Sequence, residues 1–222
     1  SIPYHLLVEW EEKGYITLQP ETIANVLADK LTDLDRYPVT LQKHIWHIFE
    51  YETNLYWSNV YENRAHSGSL AYLTEIGLID RHRILKECLL TANRNFNKNL
   101  TGWFADLFNE LKPTREELLS LQSELFGTFH SPLSKALNNA LNHVKTIADA
   151  GTFDYNEFTT YIPILITSTV KTTLKGVIDI SEKLLSTRKE SIPVICPALC
   201  DGFISKDEAI QKKLAKLSKR MF

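Results

Sequence analysis

Apolar residues recur at three- and four-residue intervals from one end of the chain to the other, the spacing that puts one buried stripe on a helix. In residues 21–34 the stripe is Ile23, Val26, Leu27, Leu31 and Leu34. Leu118, Leu119, Leu121, Leu125 and Phe126 form a second stripe, and Leu133, Leu137, Ala140, Leu141 and Val144 a third. Strand-type alternation is nearly absent, so the pattern predicts an all-α chain of about twelve helices. They fall near 4–13, 20–34, 39–64, 68–76, 80–93, 99–111, 114–127, 132–149, 154–166, 168–186, 190–201 and 205–220.

The connectors share a form: Gly14-Tyr15-Ile16-Thr17, Gly77-Leu78-Ile79-Asp80, Gly151-Thr152-Phe153-Asp154 and Gly202-Phe203-Ile204-Ser205. Glycine suits the left-handed residue that closes a helix, and the polar residue caps the next one by accepting from its free N–H groups. Gly77, Gly151 and Gly202 are therefore expected just past helix ends with positive φ. Thr114-x-x-Glu117, Asp154-x-x-Glu157 and Ser205-x-x-Glu208 have the capping-box pattern.

Helices also repeat. Leu133, Leu137, Ala140 and Val144 align with Val170, Leu174, Val177 and Ser181 at an offset of 37, and these with Ile210, Leu214, Leu217 and Met221 at 40. A helix pair of this size cannot bury its stripe alone and must stack on its neighbours. Tyr161-Ile162-Pro163-Ile164-Leu165-Ile166 followed by Thr169-Val170-Lys171 resembles a HEAT unit: proline in the first helix, Val-Lys opening the second. Ile76-Gly77-Leu78-Ile79-Asp80-Arg81, Gly102-Trp103-Phe104 and Leu111-Lys112-Pro113-Thr114 resemble an uncharacterised bacterial family of HEAT-like proteins. The resemblance covers about residues 70–220 and implies a helical-repeat fold with no chemistry attached. The expected architecture is an α-solenoid, a HEAT-like superhelix of antiparallel pairs in a single domain over 1–222. It is clear over 70–222 and irregular over 1–70.

Composition narrows the function classes. A net charge of −2 and a pI near 6.4 give no global attraction for nucleic acid or an anionic membrane. No apolar run reaches the ~20 residues that span a bilayer, and the N-terminus has no signal-peptide pattern. Three cysteines, Cys88, Cys196 and Cys200, make no disulfide framework, which points to reduced thiols in a cytoplasmic protein. The one methionine is Met221, which points to a segment of a longer protein.

Candidate chemistry is sparse. His44, His47 and Glu50 fall along one face of the predicted 39–64 helix, but a zinc site needs further ligands and none is placed, so no metal is expected. Cys196 and Cys200, four apart on a helix, fit core packing better than metal binding. Tyr51, Tyr56, Trp57 and Tyr61 also fit the core, with an interface patch as the alternative. Neither a nucleophile-elbow nor a phosphate-loop motif is present, so no catalytic residue and no cofactor is assigned. Lys206, Lys212, Lys213, Lys216, Lys219 and Arg220 make the last helix basic and amphipathic. That is the expected solvated face of a terminal repeat, with phosphate binding as the alternative.

The leading functional expectation is a non-enzymatic scaffold that binds a protein, either a separate partner or other domains of its own chain. Second helices of such pairs line one face. On the alignment they present Lys135, Asn138, Asn142, Lys175, Asp179, Lys212 and Lys219 as a polar ridge. Nucleic-acid binding on a basic helical face is the second hypothesis, and an enzyme of unknown type the third.

Overall fold

The computed structural model describes residues 2–28, 33–57, 65–204 and 207–221, and every regular element among them is helical. They divide into two compact units, Ser1–Lys112 and Pro113–Phe222. No helix among the described residues is long and apolar enough to cross a membrane.

The first unit contains α1 (Tyr4–Glu12), α2 (Pro20–Ala28), α3 (Pro38–Gln42), α4 (His47–Glu50), α5 (Ala65–Glu75), α6 (Arg81–Leu90) and α7 (Lys98–Glu110). Gly14 (φ 73°) and Gly77 (φ 82°) close α1 and α5 in the left-handed conformation, Gly77 as expected. After α5, the Leu78 N–H reaches back to the Leu73 carbonyl (2.9 Å) and the Gly77 N–H to Thr74 (3.1 Å). This pairing satisfies carbonyls that the helix end leaves free. Asp80 then caps α6, accepting from the Arg83 N–H at 2.7 Å.

The predicted 39–64 helix is several short pieces. Lys43 (φ −119°, ψ −61°) breaks it after α3, a 3₁₀ turn covers His44–Trp46, and Tyr51 leaves α4 extended. The extended exit lets side chains take backbone groups that a helix would keep to itself. The Glu21 carboxylate accepts from the Asn54 N–H (3.2 Å), and Glu52 accepts from the Asn97 N–H (3.2 Å) and side-chain amide (2.8 Å). Residues 58–64 of that prediction lie outside the described residues. The core of this unit centres on Phe104, whose ring lies 5.1 Å from Phe49 and Trp103 and 6.2 Å from Phe96. Beside it, the Arg83 guanidinium stacks 4.0 Å over Trp46.

The second unit contains α8 (Arg115–Ser120), α9 (Gln122–Gly127), α10 (Ser134–Ile147), α11 (Tyr155–Ile166), α12 (Lys171–Thr187), α13 (Ile192–Leu199) and α14 (Glu208–Met221). The predicted 114–127 helix divides at Leu121. Its N–H is shared between the Glu117 and Leu118 carbonyls, and the turn tightens there. The starts of α10, α12 and α14 are 37 residues apart, as are those of α11 and α13. The second repeat offset is thus 37 and not 40. The reason lies in the cap: Asp207 accepts from the Ala209 (2.9 Å) and Ile210 (3.2 Å) N–H groups and α14 starts at Glu208, three residues before the start that an offset of 40 would give. Asp207 takes the capping role expected of Ser205, which itself lies outside the described residues. Within the unit, α10 packs on α12 and α12 on α14, while α9 packs on α11 and α11 on α13. Helices two places apart in the chain are therefore in contact, giving two series of neighbours, or rows, α9–α11–α13 and α10–α12–α14. Phe126, Phe129, Phe153, Phe158 and Tyr161 fill the space where the rows begin.

Two glycine expectations are corrected here. Neither Gly151 nor Gly202 is left-handed. The chain leaves α10 through two tight turns, Ala150 N–H to Ile147 (2.9 Å) and Phe153 N–H to Ala150 (3.1 Å), which need no positive φ. Gly202 sits buried in a 3₁₀ stretch (Cys200–Ile204), where a Cβ would strike Ile166 and come within 2.9 Å of Leu214. Space, not φ, requires a glycine at that position.

The connector after α10 is tied from both sides. Arg115 donates to the Thr146 carbonyl (2.7 Å), Gln122 to Thr152 (3.1 Å), and Arg188 to Phe153 (3.3 Å) and Ala150. Asp154 caps α11 as expected, accepting from the Glu157 N–H (2.9 Å), but the reciprocal half of the box is absent. The Glu157 carboxylate instead accepts from the Ser123 hydroxyl (2.9 Å), and the Asp154 N–H goes to Gln122 (2.8 Å). Thr114 and Glu117 do close a full box at α8.

Candidate functional site

The row α10–α12–α14 is amphipathic for a simple reason: its sequences repeat apolar residues on one side only. Ala136, Ala140, Leu141, Val144 and Ile147 are buried from α10, Leu174, Val177, Ile178 and Leu184 from α12, and Ile210, Leu214 and Leu217 from α14. The helices α10 and α12 approach closely where Gly176 faces Leu141; a Cβ on that glycine would lie 3.2 Å from the Leu141 Cδ1. Their other sides carry the polar ridge.

Of the expected ridge residues, Lys135, Asn142, Lys175, Lys212 and Lys219 are exposed, while Asn138 and Asp179 are half-buried. Those two are engaged within the fold. The Asn138 amide donates to the Thr172 hydroxyl (3.0 Å), and its carbonyl accepts from the Thr173 hydroxyl (2.8 Å). Asp179 lies between Lys145 and Lys213, each ammonium 2.8 Å from one carboxylate oxygen. One aspartate on α12 therefore bridges α10 and α14. Lys145 was not singled out from sequence, and Lys213 only as part of the basic face of the last helix, not as a partner of Asp179. Their even spacing from Asp179, 34 residues on each side, is the signal that would have found them.

A parallel bridge lies at the end of α10. Asp149 takes Arg115 (2.9 Å) and Lys183 (3.0 Å), and Lys183 also donates to the Lys145 carbonyl (3.0 Å). The bond from Arg115, followed by that from Lys183, holds the Asp149 carboxyl down at about 2. For Asp179 burial alone pushes upward, but the bonds from Lys145 and Lys213 outweigh it and the net shift is downward. A carboxylate depressed in the folded state stabilises it above the unfolded value of about 3.9, and that contribution is lost as pH falls through the folded value. Urea midpoints are therefore expected to drop between about pH 4 and pH 2. The drop should be shallower in Asp149→Asn, and an equally steep loss in that variant would rule out this cause.

The other sequence candidates fall elsewhere. His44 is buried, with Nε2 3.0 Å from a Glu11 carboxylate oxygen and Nδ1 3.5 Å from the Thr40 hydroxyl, which itself pairs with Tyr4 (2.7 Å). His47 is half-buried and lies 3.8 Å from Glu50. The break at Lys43 and the bond to Glu11 give His44 a structural role separate from His47. Tyr51 and Trp57 are exposed, contrary to the core expectation, because the chain leaves the helix at Tyr51; Tyr61 lies outside the described residues. Cys88 is buried, but Cys196 is half-buried and Cys200 exposed, again contrary to a core role. On α13 the core positions are held by Ile195 and Leu199 instead.

A family model described as "Domain of unknown function (DUF6493)" matches residues 1–172. The chain belongs to that family. The DUF6493 match takes in residues 1–70, where the sequence shows no clear repeat, and stops at Thr172, in the first turn of α12. The ridge residues on α12 and α14 thus all lie past the matched region. The chain matches no curated protein and no solved structure.

Proposed function

We propose that this DUF6493 protein is a non-enzymatic, HEAT-like helical-repeat scaffold that docks a protein along the outer face of α10, α12 and α14. The observation that carries this reading is the recurrence of outward positions at the 37-residue interval. Asn138, Lys175 and Lys212 form one line across the row, and Asn142, Asp179 and Lys216 the next. Equivalent residues in adjacent helices let many weak contacts add over a long footprint. A standard interface takes about 800 Å² from each partner, which several such lines supply.

Charge indicates what the partner carries. Asp179 is neutralised by its two lysines, whereas Lys175, Lys212, Lys216 and Lys219 make no ion pair among the described residues. These four suit acidic side chains on a protein. The Asn138–Thr172 pair itself is neutral and Asp179 interrupts the lysines, a mixed face that suits a protein, whereas a phosphate backbone asks for positive charge throughout.

The test compares the native chain with a Lys175→Glu, Lys212→Glu, Lys216→Glu, Lys219→Glu variant. Proteins captured from lysate by the native chain are purified and rebound, with duplex DNA titrated in parallel across a salt series. At least one purified partner is expected to lose about tenfold or more in affinity to the variant, a change of about 1.4 kcal/mol. Micromolar duplex binding that falls steeply with salt and vanishes in the variant would replace this reading with nucleic-acid binding.

A further inference from the structure

The thiols of Cys196 and Cys200 sit one helical turn apart on the side of α13 that its core residues Ile195 and Leu199 leave free. The backbone is still helical at Cys200 (φ −58°, ψ −36°), and the Cys200 Sγ lies 3.5 Å from the Cys196 carbonyl oxygen. The Cys200 side chain therefore leans back along the helix, over the turn that carries Cys196. Residues four apart on a helix hold their Cβ atoms about 5–6 Å apart. A disulfide needs about 3.8 Å, so the pair cannot oxidise to one without unwinding the turn. Side chains on one turn at that Cβ spacing can instead place both sulfurs on a single ion.

We propose that Cys196 and Cys200 form a two-sulfur site for a soft monovalent ion, copper(I), on the outer face of α13. Soft thiolates select copper(I), and two sulfurs are enough for a linear dithiolate. Among the described residues no group of three or more His, Cys, Asp or Glu side chains converges, whereas zinc takes four ligands. The other exposed residues of α13, Pro193, Val194 and Pro197, are uncharged and offer no competing hard oxygen donor from their side chains. Binding is an exchange without redox change. Each thiol releases one proton to solvent, one copper(I) bonds to both sulfurs, and the complex carries one negative charge. Burial, and after it the neighbouring Cys200, raises the Cys196 thiol, so the ion must displace a proton there.

The test is an anaerobic titration of the reduced full chain with copper(I) against the chromophoric chelator bicinchoninate. The native chain is expected to withdraw one equivalent of copper(I). Cys196→Ser and Cys200→Ser should each weaken uptake by at least about tenfold, while Cys88→Ala leaves it unchanged. Far-UV circular dichroism checks that each variant keeps its helix content. No uptake by the native chain, or native-strength uptake in either serine variant, would overturn the proposal.

Discussion

Replacing Phe158 by alanine is expected to destabilise the Pro113–Phe222 unit by about 3–5 kcal/mol, the cost of deleting a fully buried aromatic side chain. Phe158 is 0% exposed and lies 6.0 Å from the Phe126 and Phe153 rings and 6.3 Å from Phe129. It projects from α11 into the space where the two rows begin, so its loss leaves a cavity walled by three other rings that cannot all collapse into it. Far-UV circular dichroism in urea is the proper readout. All four tryptophans (Trp10, Trp46, Trp57 and Trp103) lie in the Ser1–Lys112 unit, so indole fluorescence reports on the other one. A midpoint shifted by less than the equivalent of about 1 kcal/mol would mean that this cluster is not the core of its unit.

Gly202→Ala is expected to cost about 1–3 kcal/mol, although it adds a single methyl group. The added carbon would strike Ile166 at the end of α11 and press on Leu214 of α14, which are 1% exposed and have no free side to move toward. Gly151→Val supplies the contrast. Nothing lies within 4 Å of a Cβ at Gly151 and its φ is not left-handed, so its stability should change by less than about 0.5 kcal/mol. The glycine-closed connector seen in the sequence implies instead that both substitutions cost about 1 kcal/mol or more, so urea titration of Gly151→Val decides between the two.

Those two glycines show what was legible in the chain and what was not. Helix existence came through because apolar periodicity is a local property: α1, α6, α7 and α10–α14 all fall within predicted helical segments, with ends differing by a few residues. Gly77 was correct because helix closure is also local. Gly202 depends on Ile166, 36 residues away, and no connector motif encodes that approach. The 39–64 helix failed for the same reason: its extended exit is held by Glu21, which accepts from Asn54, and by the bond from Asn97 to Glu52, partners distant in sequence. On the ridge, outward positions were recoverable from the stripe, since what is not buried faces out. That Asp179 is bound twice while Lys175 stays exposed follows from the lateral stagger of neighbouring helices. That stagger brings residues 34 apart into contact in a 37-residue repeat. An alignment register with an error of three residues hides that relation.

The claim beneath the docking face is that α10, α12 and α14 lie side by side in one row. It can be measured directly by placing spin labels in pairs at 135, 172 and 209, equivalent exposed positions on the three helices, in a cysteine-free background. With neighbouring helices about 8–10 Å apart, a row predicts two short separations, 135–172 and 172–209, and a 135–209 separation about twice as long. Three similar separations would mean that the helices close into a bundle, and the continuous second-helix face would not exist.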